Sequence, residues 1–138
     1  MAKMESTRLQ VARRVRARDG SDLRILPTVG GASMAHASLP PGAISQAVYH
    51  RTVEEIWSCV SGRRSLWRSL DGRENVIKLR PGVSASIPRG TRFQFRNDGD
   101  KRLAVVIATA PPSSEGRKGR KGRMGPGGDE AVACDGLW

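Results

Sequence analysis

The sequence predicts an all-β domain, a sandwich or barrel, over residues 20–112. Two observations carry this. Chain-breaking residues recur at short intervals: Gly30-Gly31, Pro40-Pro41-Gly42, Ser61-Gly62, Asp71-Gly72, Pro81-Gly82, Pro88-Arg89-Gly90, Asn97-Asp98-Gly99-Asp100 and Pro111-Pro112. Between them lie roughly nine runs of strand-favouring residues, the spacing of short strands joined by turns. A helical domain would not tolerate breakers set so evenly.

Taken in order, runs 24–28 and 33–39 flank the Gly30-Gly31 turn. Run 44–50 follows Pro40-Pro41-Gly42, and runs 55–60 and 65–70 flank Ser61-Gly62. Asp71-Gly72 leads into run 76–79, since Asp and Gly tolerate the positive φ of a tight hairpin turn. Pro81-Gly82 precedes run 84–87, and Pro88-Arg89-Gly90 precedes run 93–95. Run 103–109 follows Asn97-Asp98-Gly99-Asp100 and ends at Pro111-Pro112.

The ends differ in character. In residues 1–19, Leu9, Ala12 and Val15 share a face at helical spacing, which predicts a mobile basic leader or a short basic amphipathic helix. Residues 113–138 open with a Gly-rich basic stretch that predicts a flexible tail, with Leu137 and Trp138 docking back on the domain.

Length and charge bound the function. A chain of 138 residues holds one domain of this size. The net charge is +11, from 24 Lys+Arg and 13 Asp+Glu. Residues 1–19 carry six basic and two acidic residues (+4), residues 20–112 thirteen and seven (+6), and residues 113–138 five and four (+1). Cations spread this widely predict a solvated surface, with nucleic-acid contact through the basic ends as the alternative. No apolar run reaches the ~18 residues of a membrane span, and no signal-peptide core precedes the domain, so a cytoplasmic protein is expected. Two cysteines, Cys59 and Cys134, make neither a disulfide scaffold nor a four-cysteine zinc site. Two histidines, His36 and His50, exclude a three-imidazole metal site from one chain.

Strand side chains alternate faces with period two. Val48 and His50 therefore share one face, Glu55, Trp57 and Cys59 share another, and Phe93 pairs with Phe95. A turn over 51–54 would close His50 and Glu55 around one end of a hairpin. Glu54 and Tyr49 fall on the opposite parity and are expected to point away.

Two stretches carry a family resemblance. The first places Gly42, His50, Glu55 and Gly62 in G-x5-H-x-H-x4-E-x6-G, and the second places Gly82, Pro88, Gly90 and Asn97 in G-x5-P-x-G-x2-H-x3-N. This spacing resembles the paired motifs of the cupin superfamily, and the resemblance covers about residues 23–112. It implies a jelly-roll barrel of two antiparallel sheets around a central cavity, often dimeric. In metal-binding cupins the two motif-1 histidines, the glutamate and the motif-2 histidine hold the ion. Here Val48 and Phe93 stand at two of those four positions.

Two ligands do not hold Fe, Mn, Ni or Zn tightly, so no cofactor is expected. Recruiting His36 would give two His and one carboxylate, the alternative of a metal-dependent oxygenase. Without metal, Glu55 would orient His50 and favour its charged form, making His50 a general acid or base. The expected function is binding of a small organic molecule, with isomerase, epimerase or lyase chemistry through His50 and Glu55. Val48, Trp57, Cys59, Phe93 and Phe95 are expected to line the pocket. A non-catalytic sensing or nucleic-acid-associated module is the remaining alternative.

Overall fold

A computed structural model describes residues 3–113 and the backbone of Val132–Cys134. The strands are β1 (Arg14–Arg16), β2 (Asp22–Thr28), β3 (Ser33–Leu39), β4 (Val48–His50), β5 (Glu54–Ser61), β6 (Arg64–Leu70), β7 (Arg73–Leu79), β8 (Ser84–Ile87), β9 (Arg92–Arg96), β10 (Leu103–Ala110) and β11 (Val132–Cys134). They form a six-stranded sheet in the order β1-β2-β3-β10-β5-β8 and a five-stranded sheet in the order β11-β4-β9-β6-β7. All pairings are antiparallel except β11 beside β4. The two sheets face each other as the expected jelly-roll barrel. Among the described residues, no helix is long and apolar enough to cross a membrane.

Eight of the nine expected runs are strands over their whole length, most of them extended by one to three residues. Run 44–50 is the exception. Only Val48–His50 is strand, and Ile44 makes a single bridge to Arg96. The leader expectation is corrected at its C-terminal end. Residues Leu9–Val11 form one 3-10 turn rather than an amphipathic helix, and Arg14–Arg16 pair with Asp22–Arg24 as β1. The physical reason is period two. Val15 and Ala17 turn inward while Arg14 and Arg16 stay exposed, which a strand satisfies better than a thin helical stripe. The expected flexible tail and the docking of Leu137 and Trp138 lie outside the described residues.

Alternation builds the core. Ala35, Ala37 and Leu39 of β3, Trp57 and Cys59 of β5, Leu103, Val105 and Ile107 of β10, and Phe93 and Phe95 of β9 are all buried in one cluster. Asn97 pins the end of the barrel, its Nδ2 donating to the carbonyls of Leu39 at 2.9 Å and Lys101 at 2.8 Å.

Two motif glycines differ in what they do. Gly62 has φ +81°, and a Cβ there would lie 2.6 Å from the Arg102 carbonyl oxygen and 2.8 Å from Leu103 Cα. Gly90 has φ +85° with open space around it. Gly90→Ala should cost about 1–2 kcal/mol, the strain of a left-handed backbone alone. Gly62→Ala should cost clearly more in urea unfolding, because β10 must also shift; equal losses would show that the close approach is not a constraint.

Candidate functional site

The site is built where the two sheets meet. His50 is the last residue of β4 in the five-stranded sheet, and Glu55 is the second residue of β5 in the six-stranded sheet. The short turn between them brings the side chains together, with His50 Nε2 3.1 Å from Glu55 Oε1. Both are sealed from water, at 1% and 2% exposure. The His50 carbonyl accepts from the Gly90 N–H at 2.8 Å, which ties the strand end to the Pro88–Gly90 turn.

A buried carboxylate must have its lone pairs met. Trp57 Nε1 donates to Glu55 Oε1 at 3.1 Å, and Thr109 Oγ1 donates to Oε2 at 2.8 Å. Thr109 is the residue directly across from Glu55 in the β10–β5 register. The glutamate is therefore held from its own strand, from β10 and from the opposite sheet. This arrangement sets the imidazole in close polar contact with a carboxylate whose own orientation is fixed.

Aromatic side chains surround the pair. The Phe93 ring lies 5.3 Å from that of His50, tilted by 53°. Trp57 meets Phe93 at 5.4 Å and Phe95 at 5.1 Å, both edge to face. Val48 stands directly opposite Phe93 in the β4–β9 register. The five residues expected to line a pocket are placed inward by the fold, but as close-packed core. Val48, Trp57, Phe93 and Phe95 are at 0% exposure and Cys59 at 2%. Burial also raises the Cys59 thiol above its ordinary 9.0, partly offset by its hydrogen bond to the Ser61 carbonyl, so the thiolate is disfavoured. Glu54 is exposed, and Tyr49 is half-buried on the face opposite His50.

The expected third metal ligand is corrected. His36 sits on β3 between Ala35 and Ala37, which face the core, so its ring is on the outer face of the sheet. It cannot join His50 and Glu55. Among the described residues, no three His, Cys, Asp or Glu side chains are grouped to hold a metal ion. With Val48 and Phe93 at the other two positions, the donor set does not fit Fe, Mn, Ni or Zn.

Asp19 is a site residue that sequence reasoning missed. It lies in the loop after β1 and is 2% exposed. Its Oδ1 accepts from the Ser21 N–H at 2.9 Å and the Ser21 hydroxyl at 2.6 Å, while its carbonyl accepts from the Gln46 N–H at 2.7 Å. Oδ2 is buried and has no hydrogen-bond partner among the described residues. Burial pushes the carboxyl above its ordinary 3.8, against the Ser21 hydrogen bonds; the Glu55 charge adds to the rise and His50 opposes it. Asp19 is thus in the electrostatic field of the pair. The period-two run of Val15, Ala17 and Asp19 against Arg14, Arg16 and Arg18 was the available signal.

The profile of the cupin domain matches residues 35–109, more than half of the chain, and the chain belongs to this family. It is 33% identical over 72 residues to diaminopimelate epimerase from Acidothermus cellulolyticus; the match takes in 49% of this chain and 24% of that one. The chain thus spans about a quarter of that relative's length. Among solved structures, TT1209 from Thermus thermophilus superposes with a TM-score of 0.63 at 18% identity, over 79% of this chain and 99% of that one. Drosophila melanogaster CENP-C bound to CAL1 gives 0.63 at 20% identity, over 71% and 79%. At these identities the likeness is one of fold.

Two expected outcomes follow from the geometry. In wild type, the raised Asp19 value means that its stabilising contribution is present below 3.8 and is lost as pH climbs through the folded value. The melting temperature of Asp19→Asn relative to wild type should therefore rise with pH above 3.8; a pH-independent difference would contradict a carboxyl held up by burial. Separately, Val48→His with Phe93→His places imidazoles on facing residues beside His50 and Glu55. The double variant should retain a divalent ion by elemental analysis where wild type retains none, and a metal-free double variant would show that the donor geometry has also been lost.

Proposed function

We propose that this cupin binds a small organic molecule at the His50 end of its barrel and moves a proton on it, as an isomerase, epimerase or lyase would. The observation that carries this reading is the sealed His50–Glu55 pair, its carboxylate braced by Trp57 and Thr109. Removing a carbon-bound proton and returning it requires a base in a fixed position and shielded from water. His50 is the proton-carrying group. Glu55 is the group that orients it, and Asp19 supplies a second carboxyl whose field reaches both. No step passes through a metal, since the donors at the family's positions do not fit one. With both side chains almost fully buried, entry requires opening the mouth of the barrel near the turns at 51–53 and 88–90.

A second reading is a non-catalytic cupin. The burial of the inward-facing side chains favours it: Val48, Trp57, Phe93 and Phe95 are at 0% exposure and His50 at 1%. The CENP-C structure, bound to CAL1, is a case of a similar fold in complex with another protein.

One experiment separates the two. Wild type and His50→Gln are screened by thermal shift against short hydroxy acids, amino acids and sugars, and hits are incubated in D2O. The catalytic reading expects a compound that stabilises wild type, not His50→Gln, and exchanges a carbon-bound proton for deuterium only with wild type. Stabilisation of both proteins alike, or no exchange with any compound, favours the non-catalytic reading.

A further inference from the structure

The outer face of the six-stranded sheet carries a second cluster, on the other side of the sheet from His50. In the β1–β2 register Arg14 stands directly opposite Arg24, and in the β2–β3 register Arg24 stands directly opposite His36. Three basic side chains therefore form one cross-strand row. Like charges facing each other across strands are destabilising unless something neutralises them. No carboxylate in the row does so. The one acidic side chain beside it, Asp22, is taken up by Arg102, with Nη2 2.6 Å from Asp22 Oδ2. Arg102 Nε donates to the Ser38 hydroxyl at 3.1 Å, so that guanidinium is already committed. Arg24 has one long hydrogen bond, 3.4 Å to the Ala12 carbonyl, and its remaining donors are unmatched among the described residues.

The row is not flat. The 3-10 turn brings Leu9 and Gln10 to the edge of a cleft of about 200 Å³ that is lined also by Arg14, Asp22, Arg24, His36 and Arg102. His36 is half-buried at the floor, and its Nδ1 is buried with no partner outside its own residue. Burial pushes the imidazole below its ordinary 6.5; a hydrogen bond to its own backbone opposes this, and the nearby Arg24 and Arg102 charges add to the fall. The charges that act on this half-buried imidazole, those of Arg24 and Arg102, both disfavour its protonation, and a bound anion would oppose them.

We propose that the Arg14–Arg24–His36 row is a binding site for a tetrahedral oxyanion, taken as the phosphate or sulfate group of a small molecule. Guanidinium forks match such groups bidentately, and the cleft suits one anionic head group. The charged and polar groups facing His36 are Arg14 from β1, Asp22 and Arg24 from β2, Ser38 from β3, Arg102 from the loop before β10, and Gln10 from the turn. Only His36 among them changes charge near neutrality. Anion binding should therefore tighten as pH falls and protonates it.

The test titrates the full chain by calorimetry with sodium sulfate, with ribose 5-phosphate and with a single-stranded DNA oligonucleotide. Sulfate is used for the pH series because its own charge is constant. The expected result is saturable binding of sulfate and of the sugar phosphate. Arg24→Gln should weaken both by about tenfold, the loss of one charge-assisted contact. Asp22→Asn should strengthen both, because it releases Arg102; a purely structural role for this cluster predicts no gain. Sulfate affinity should rise between about pH 7.5 and about pH 5.5, and His36→Gln should abolish that rise. Circular dichroism confirms that each variant is folded. Binding of the oligonucleotide with no saturable binding of either small anion overturns the proposal in favour of a strand-binding surface. Unchanged affinity in Arg24→Gln and Asp22→Asn, or a pH dependence that survives in His36→Gln, overturns it outright.

Discussion

One carboxylate ties the two layers of this barrel together. Glu55 is sunk in an aromatic core at 2% exposure, where an unmet lone pair would be costly. Its three polar partners come from three different strands. Trp57 lies two residues along β5, Thr109 on the neighbouring β10, and His50 on β4 in the facing sheet. The two hydrogen bonds fix the carboxylate within its own sheet, and the 3.1 Å contact with His50 links it to the facing sheet. Neighbouring contacts accompany that link: Phe93 rests on the His50 ring, and Trp57 packs edge-on between Phe93 and Phe95. A polar cluster of this kind is all-or-none, since removing any partner strands a buried group.

The same packing buries the inward-facing aromatic side chains. The cross-strand pair of Val48 and Phe93 fills the space where two further imidazoles would stand in a metal-binding relative. Phe93 supplies both volume and a ring face for His50. The same burial pushes the Cys59 thiol upward, so its thiolate is disfavoured.

Much of this was readable from residue order because period two is a strong constraint. The parity of Val48 and His50, of Glu55, Trp57 and Cys59, and of Phe93 and Phe95 placed all seven on the inner face where the structure has them. Spacing also located the turns, because Gly62 and Gly90 occupy conformations that other residues adopt at a cost. What residue order did not convey was volume and distance across sheets. Parity alone cannot say whether inward aromatics line a void or fill it. His36 was misplaced as a potential ligand although its own flanks, Ala35 and Ala37, announce the opposite parity. Asp19 escapes that reading because Leu9, Ala12 and Val15 suggest a helix there, and the loop that carries it is set by the short β1–β2 hairpin and by its contact with Gln46.

The segregation of the imidazoles has a practical consequence. The chain carries two histidines, and one sheet separates them, His50 in the sealed interior and His36 in the outer cleft. Each ring is thus an isolated magnetic reporter, unobscured by other signals of its kind. Isotope labelling of this one amino acid would let events inside the barrel and events on its surface be followed at once, in the same tube, without altering a single side chain.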